Sequence, residues 1–306
     1  ADDKLPDLTR TGLNASAAPN SGRFLVPFYI IKHATGSLCN SLTTAEFLTA
    51  VQFRAGIPLP FLGPDSRCWD KCRQYGPNAN LTIPGSLLGA YPISLDWHSL
   101  GLHQITCAYG SYVHDRHNAL CDVILNGLSA GGAAIDKQEI FVSTTDNKRA
   151  DGCIWHPSLS PRGTAIDCTV WSPYTLPRLR SSARSRGYVL LAAEKYKNDK
   201  YSATCDEAGL DFAPLASNPQ GGWGPTLSLA WSAVWTHRLS TARAAGLPTR
   251  SIVSHERRHL EHISATTQRH LHRSIHAHTT SRRQSHQTIP DDTHLPDADA
   301  HQPADR

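Results

Sequence analysis

With 306 residues, 40% hydrophobic and 18% charged, the chain is long enough for one substantial core and has room for two domains. Its net charge of +4 permits a polyanionic partner without demanding one, and its eight irregularly spaced cysteines exclude a disulfide-stapled scaffold. The longest apolar runs, such as that from Phe24 to Ile31, are too short for a helix to cross a bilayer, so no membrane role is expected. No secretory segment opens the sequence, and a reduced, intracellular setting is expected. Methionine is absent throughout, position 1 included, and we read the chain as a piece of a longer reading frame, intact or decayed.

Taken in order, residues 1–40 read as a linker punctuated by Pro, Asn, Ser and Gly, and residues 41–112 as a helical, zinc-knuckle-like segment. From Ser41 to Leu48 a Thr stands as N-cap before a helix-period run through Val51 and Phe53, which Pro58 and Pro60 end. Residues 73–95, rich in Gly, Pro and Asn, read as a long loop. Residues 113–248 read as the main domain. A helix is predicted from His117 to about Leu128, with Leu120, Val123, Ile124 and Leu128 on one face and Gly131-Gly132 as its stop. Strands are predicted at Glu139–Val142, Arg149–Trp155 and Ala165–Trp171. A helix carrying Leu190, Leu191 and a Lys/Tyr cluster follows, then a short strand from Asp211, a Gly-rich turn, and a last helix from Leu227 to Ala245. Residues 249–306 are dominated by His, Arg, Thr and Ser, then Asp and Pro, and are expected to be disordered beyond a short helical start.

The chemistry concentrates between Glu139 and Tyr201. Asp151 and Asp167 each sit among apolar residues in a predicted strand, and a carboxylate there is costly to bury unless it is paired or holds a metal. Two such acids followed by a lysine-bearing helix suit a Mg²⁺-dependent phosphodiesterase, with Glu139 as a candidate third acid. Glu194, Lys197 and Tyr201 fall at i, i+3 and i+7, one helix face that can look toward the acids. The plainer alternative is that each Asp caps a turn and the lysines form a solvated face. Upstream, Cys68 and Cys72 followed by His103 and Cys107 can close a tetrahedral, structural Zn²⁺ site, with His98 as a substitute for His103. Cys121, Cys153, Cys168 and Cys205 lie inside predicted elements and read as core. Arg116 and His117 open their helix either as phosphate or DNA contacts or as residues packing over a helix start capped by Asp115 or Asn118.

The order helix, three strands, helix, strand around these acids resembles the α-β-β-β-α-β core of PD-(D/E)XK, restriction-enzyme-like endonucleases: an α/β fold with a mixed sheet flanked by helices. More narrowly, Arg149-Ala150-Asp151, Asp167-Cys168-Thr169-Val170 and Lys197-Asn198-Asp199-Lys200-Tyr201 resemble the C-terminal endonuclease region of non-LTR retrotransposon polyproteins, as do Arg116-His117-Asn118 and Phe212-Ala213-Pro214-Leu215. The likeness runs from about Phe47 to Gly224 and includes a Cys-Cys-His-Cys knuckle ahead of the core. It implies a domain that nicks target DNA and leaves a 3′-hydroxyl, which primes synthesis by the reverse transcriptase domain of the same polyprotein. DNA, element RNA and that domain are the implied partners, in the nucleus if the host is eukaryotic. Asp151 and Asp167 are implied as Mg²⁺ ligands. The family's usual lysine position, two residues after the second acid, is Thr169 here, and the retroelement branch implies a lysine from the following helix, Lys197 first and Lys195 second. Arg149, Lys200 and Tyr201 join Arg116 and His117 as implied nucleic-acid contacts. The competing expectation is a module that binds nucleic acid without cutting it, or a retroelement remnant without function.

Overall fold

The computed structural model describes residues 42–55, 59, 62, 101–107, 112–137, 140–141 and 149–284. Helix α1 (Thr44–Ala55) starts at a capping box: the Thr43 hydroxyl accepts the Glu46 N–H at 3.2 Å, and the Glu46 carboxylate accepts the Thr43 N–H at 2.7 Å. A short helix, α2 (Leu102–Thr106), precedes α3 (Tyr112–Gly131), whose Leu120, Ile124 and Leu128 form the buried stripe that their spacing predicts. It ends as the glycine pair requires. Gly132 takes a φ of +111°, and the Ala133 N–H turns back to the Leu128 carbonyl at 3.2 Å.

The remaining elements are β1 (Ala134–Asp136), β2 (Ile140–Phe141), β3 (Arg149–Ala150), β4 (Gly152–His156), β5 (Ser160–Val170), α4 (Leu176–Arg184), α5 (Tyr188–Glu207), β6 (Asp211–Ser217), α6 (Pro225–Ala244) and α7 (Arg250–Gln284). The protein is mixed α/β. A four-stranded sheet in the order β1-β4-β5-β6 is antiparallel across its first two pairings and parallel between β5 and β6. A parallel pair cannot be joined by a tight turn, and α4 with α5 supply the crossover. Strands β2 and β3 form a separate antiparallel pair.

Strand β5 is covered on both faces, and its two-residue period decides which side chain meets which helix. Ile166 and Cys168 enter the main core with Ile154, Leu215 and the Leu120, Ile124 and Leu128 stripe of α3, together with Leu227, Trp231 and Trp235 of α6. Ala165 packs instead with Ala150 and with Tyr201 and Cys205 of α5. Asp167 shares the register of Ala165, so it faces α5.

Three expectations change. The first strand of the main sheet is Ala134–Asp136, not the segment beginning at Glu139; Ile140 and Phe141 pair with Arg149 and Ala150 at the side. Three residues following directly on a helix stop carry too little pattern to read, and pairing with β4 makes them a strand. Next, residues 250–284, expected to be disordered after a short helical start, form the 35-residue helix α7. Its overall polarity hides a stripe at Ile263, Leu271 and Ile275, all buried. The small polar residues beside that stripe satisfy themselves: Thr267 Oγ1 donates to the Ile263 carbonyl and Ser274 Oγ to the His270 carbonyl, both at 2.8 Å. Finally, the expected boundary between residues 41–112 and the main domain is crossed by one core. Phe53, Leu59, Leu62, Leu102 and Ile105 pack with Tyr174, Leu179, Leu271 and Ile275.

Candidate functional site

Strands β4 and β5 pair from His156↔Ser160, through a register shift between His156 and Ile154, up to Gly152↔Ile166, and there β4 begins. The Asp151 N–H still donates to the Ile166 carbonyl at 2.8 Å. At the next rung a side chain replaces backbone, because the Cys168 N–H donates to Asp151 Oδ2 at 2.7 Å. A carboxylate is thereby fixed at the end of the ladder.

Asp167, only 5% exposed, projects toward α5, and Lys197 reaches both of its oxygens, at 2.8 Å to Oδ1 and 2.9 Å to Oδ2. Burial pushes the Asp167 carboxyl above the usual carboxylate range; the nearby Lys197 ammonium pulls it back, and the Asp151 carboxylate adds a further push upward. On the opposite side, α3 presents His117. Its Nε2 lies 2.8 Å from the Cys168 carbonyl and 3.6 Å from Asp151 Oδ2, and its Nδ1 lies 3.2 Å from Asn118 Oδ1. The Asp151 carboxylate is the main reason the imidazole pKa is raised to about 9. His117, Asp151, Asp167 and Lys197 therefore form one charged group, assembled from α3, the β3–β4 junction, β5 and α5.

Two thiols adjoin it. A carboxylate oxygen of Asp151 and the sulfurs of Cys121 and Cys168 lie within 4.8 Å of one another. Neither cysteine stands out as more than core in the sequence. A usable signal was present in the spacing: Cys121 follows His117 by one helical turn, and Cys168 follows Asp167 directly.

The other expected residues fall differently. Arg116 is a correction: it is 3% exposed and donates from Nη1 to the Ile105 carbonyl at 3.1 Å, tying α3 to α2 inside the core rather than facing DNA. Its burial lowers the guanidinium pKa to about 10. Tyr201 is a correction of the same kind, since its buried ring packs on Phe212 at 5.4 Å between centroids. Lys195 points away from the acids on the exposed face of α5, paired with Asp199 at 2.6 Å. Lys200 is exposed beside the Tyr201 ring, its ammonium 4.9 Å from the centroid, and Arg149 is exposed on β3. Glu194 does not join the acids. Its carboxylate accepts the Thr226 N–H at 2.9 Å and the Thr226 hydroxyl at 3.0 Å, an acceptor supplied by α5 to the first turn of α6. Thr169 is buried in β5. Glu139, Cys68, Cys72 and His98 lie outside the described residues, as does the side chain of His103, while Cys107 is buried.

Carboxylate oxygens such as those of Asp151 and Asp167 are donors that suit a hard cation; here Lys197 pairs with both oxygens of Asp167, and Asp151 stands within 4.8 Å of two thiol sulfurs. No helix among the described residues is long and apolar enough to cross a membrane. No protein-family model matches the chain, and no curated protein matches it in sequence.

Proposed function

We propose that this protein is a metal-dependent DNA endonuclease domain of a retroelement, which nicks target DNA to prime reverse transcription. The supporting observation is the convergence of Asp151, Asp167 and Lys197: the two acids are expected from their place in apolar runs, Lys197 from the retroelement resemblance, and the Lys197 ammonium on α5 touches Asp167. With the β2–β3 pair and α4 left aside, the elements α3, β1, β4, β5, α5 and β6, with β5 and β6 parallel, follow the α-β-β-β-α-β order of PD-(D/E)XK nucleases and support the reading.

Asp151 and Asp167 would hold Mg²⁺, which when bound supplies Lewis-acid charge at the scissile phosphate and acidifies a water. The chain's own groups do the rest. Lys197, ion-paired with Asp167, is the cation that would meet the charge that builds on the phosphate. His117 holds its proton against Asp151 and can give it up toward a departing oxygen. Exposed Lys200 and Arg149 serve as contacts to phosphates away from the cut.

Nicking of supercoiled plasmid by the full chain in Mg²⁺ tests this. Asp151→Asn and Asp167→Asn should each reduce the rate by about 10²–10³-fold or more. Nicking that persists at the parental rate in both variants would overturn the reading. A second reading is favoured by one detail: Lys197 takes both oxygens of Asp167, a self-neutralised pair that needs no ion. On that reading the domain binds nucleic acid without cutting, and salt-dependent DNA binding would survive both substitutions with no nicking in the parent.

A further inference from the structure

We propose that Cys121, Cys168 and Asp151 form a site for a thiophilic divalent cation, Zn²⁺ above all, which competes with the hard cation of the adjoining acids for Asp151. The juxtaposition comes from three separate elements. Cys121 hangs from α3 onto the sheet; Cys168 leaves β5 on the face opposite to Asp167; Asp151 stands at the ladder end between them. Both thiols are free and buried, and their sulfurs and the Asp151 oxygen already lie within 4.8 Å of one another. Around a tetrahedral Zn²⁺, with Zn–S of about 2.3 Å and Zn–O of about 2.0 Å, donor atoms sit roughly 3.3–3.8 Å apart. The three donors need to close by at most roughly 1–1.5 Å to reach those separations.

The chemistry of the donors separates the two ions. Thiolates select soft or borderline cations and reject Mg²⁺, whereas a pair of carboxylates does the reverse. Asp151 is the shared ligand, so an ion held by the thiols takes a donor away from the acid pair. Binding replaces the proton on each thiol with the metal, so two protons leave as one cation enters. Three protein donors leave a fourth position for water, on the side where Asp151 and His117 reach solvent.

The metal site stands on geometry alone; its effect on cutting rests on the nuclease reading above. The test uses the full chain carrying Cys68→Ser and Cys72→Ser, so that an upstream zinc knuckle adds no signal, and titrates it with Co²⁺ under a non-metal-binding reductant. A thiolate-to-cobalt charge-transfer band in the near ultraviolet should appear, be displaced by Zn²⁺, survive Cys205→Ser, and disappear in Cys121→Ser. Asp151→Asn should weaken Co²⁺ binding at least tenfold with the band retained at saturation. In nicking assays with excess Mg²⁺, the Zn²⁺ concentration giving half-inhibition should rise at least tenfold in Cys121→Ser. A band absent from the parent, or unchanged in Cys121→Ser, overturns the site. The expected band behaviour in a protein that does not nick supports the site and removes the nuclease reading; nicking without the band removes only the site.

Discussion

His117 and His259 lie on α3 and α7, two helices packed against each other, and their surroundings drive the same side chain in opposite directions. His117 faces the Asp151 carboxylate, which raises its pKa to about 9. His259 is buried, with the His255 imidazole next to it at 3.1 Å between Nε2 atoms and the Trp235 ring packed alongside. Burial and then the neighbouring His255 lower its pKa to about 4. One imidazole is kept charged and the other neutral. A histidine's charge is set by whether an acid or an apolar ring faces it.

Removing the acid end's cation should break this contrast most severely. Lys197→Met leaves Asp167 buried without its ammonium, at a cost on the order of 3 kcal/mol in unfolding free energy. Denaturant titration reads that loss, and Asp167→Asn added to Lys197→Met should restore most of it. A double variant no more stable than the single one would show that the pair does not hold the site together.

The neutral side is next, and it is sensitive to volume rather than charge. A Cβ at Gly127 of α3 would come within 2.4 Å of the Trp231 ring, with His259 close behind. Gly127→Ala should therefore destabilise by about 1–3 kcal/mol, although alanine is the better helix former, and lower Tm by roughly 2–8 °C. The same substitution should leave the His117 titration unmoved. A Tm at or above the parental value would mean that α3, α6 and α7 are not packed as closely as described.

The smallest effect is the most direct comparison. In metal-free buffer, NMR titration should find His117 protonating near pH 9 and His259 near pH 4, with His117 falling toward 6.5 in Asp151→Asn. The stability consequences have opposite signs. His117 binds its proton more tightly when folded, so its contribution is complete below pH 6.5 and lost as pH rises through about 9. His259 binds its proton less tightly when folded, so its contribution is present above pH 6.5 and lost as pH falls toward about 4. A His117 that titrates near 6.5 in the parent would separate it from Asp151.

Local pattern carried a good part of this structure. The capping box at Thr43 and Glu46, the apolar stripe of α3, its glycine stop and the apolar runs of β4, β5 and β6 are written in neighbouring residues, because helix and strand periods are properties of short segments. Asp151 and Asp167 are legible too, since a carboxylate inside an apolar run is expensive enough to mark itself, whereas Lys197 is expected only through the family resemblance. Arg116, Tyr201, Cys121 and Cys168 are not legible. Whether Arg116 meets solvent or the Ile105 carbonyl, and whether a cysteine is core or stands beside a carboxylate, depends on residues tens of positions away. Helix α7 makes the same point on a larger scale: its composition predicts disorder, and its place against α3 and α1 decides otherwise. Sequence determined most of the helices and strands and which charges are costly, because those follow from near neighbours; tertiary structure decided α7, β1 and which face each side chain meets, because only packing brings distant segments together.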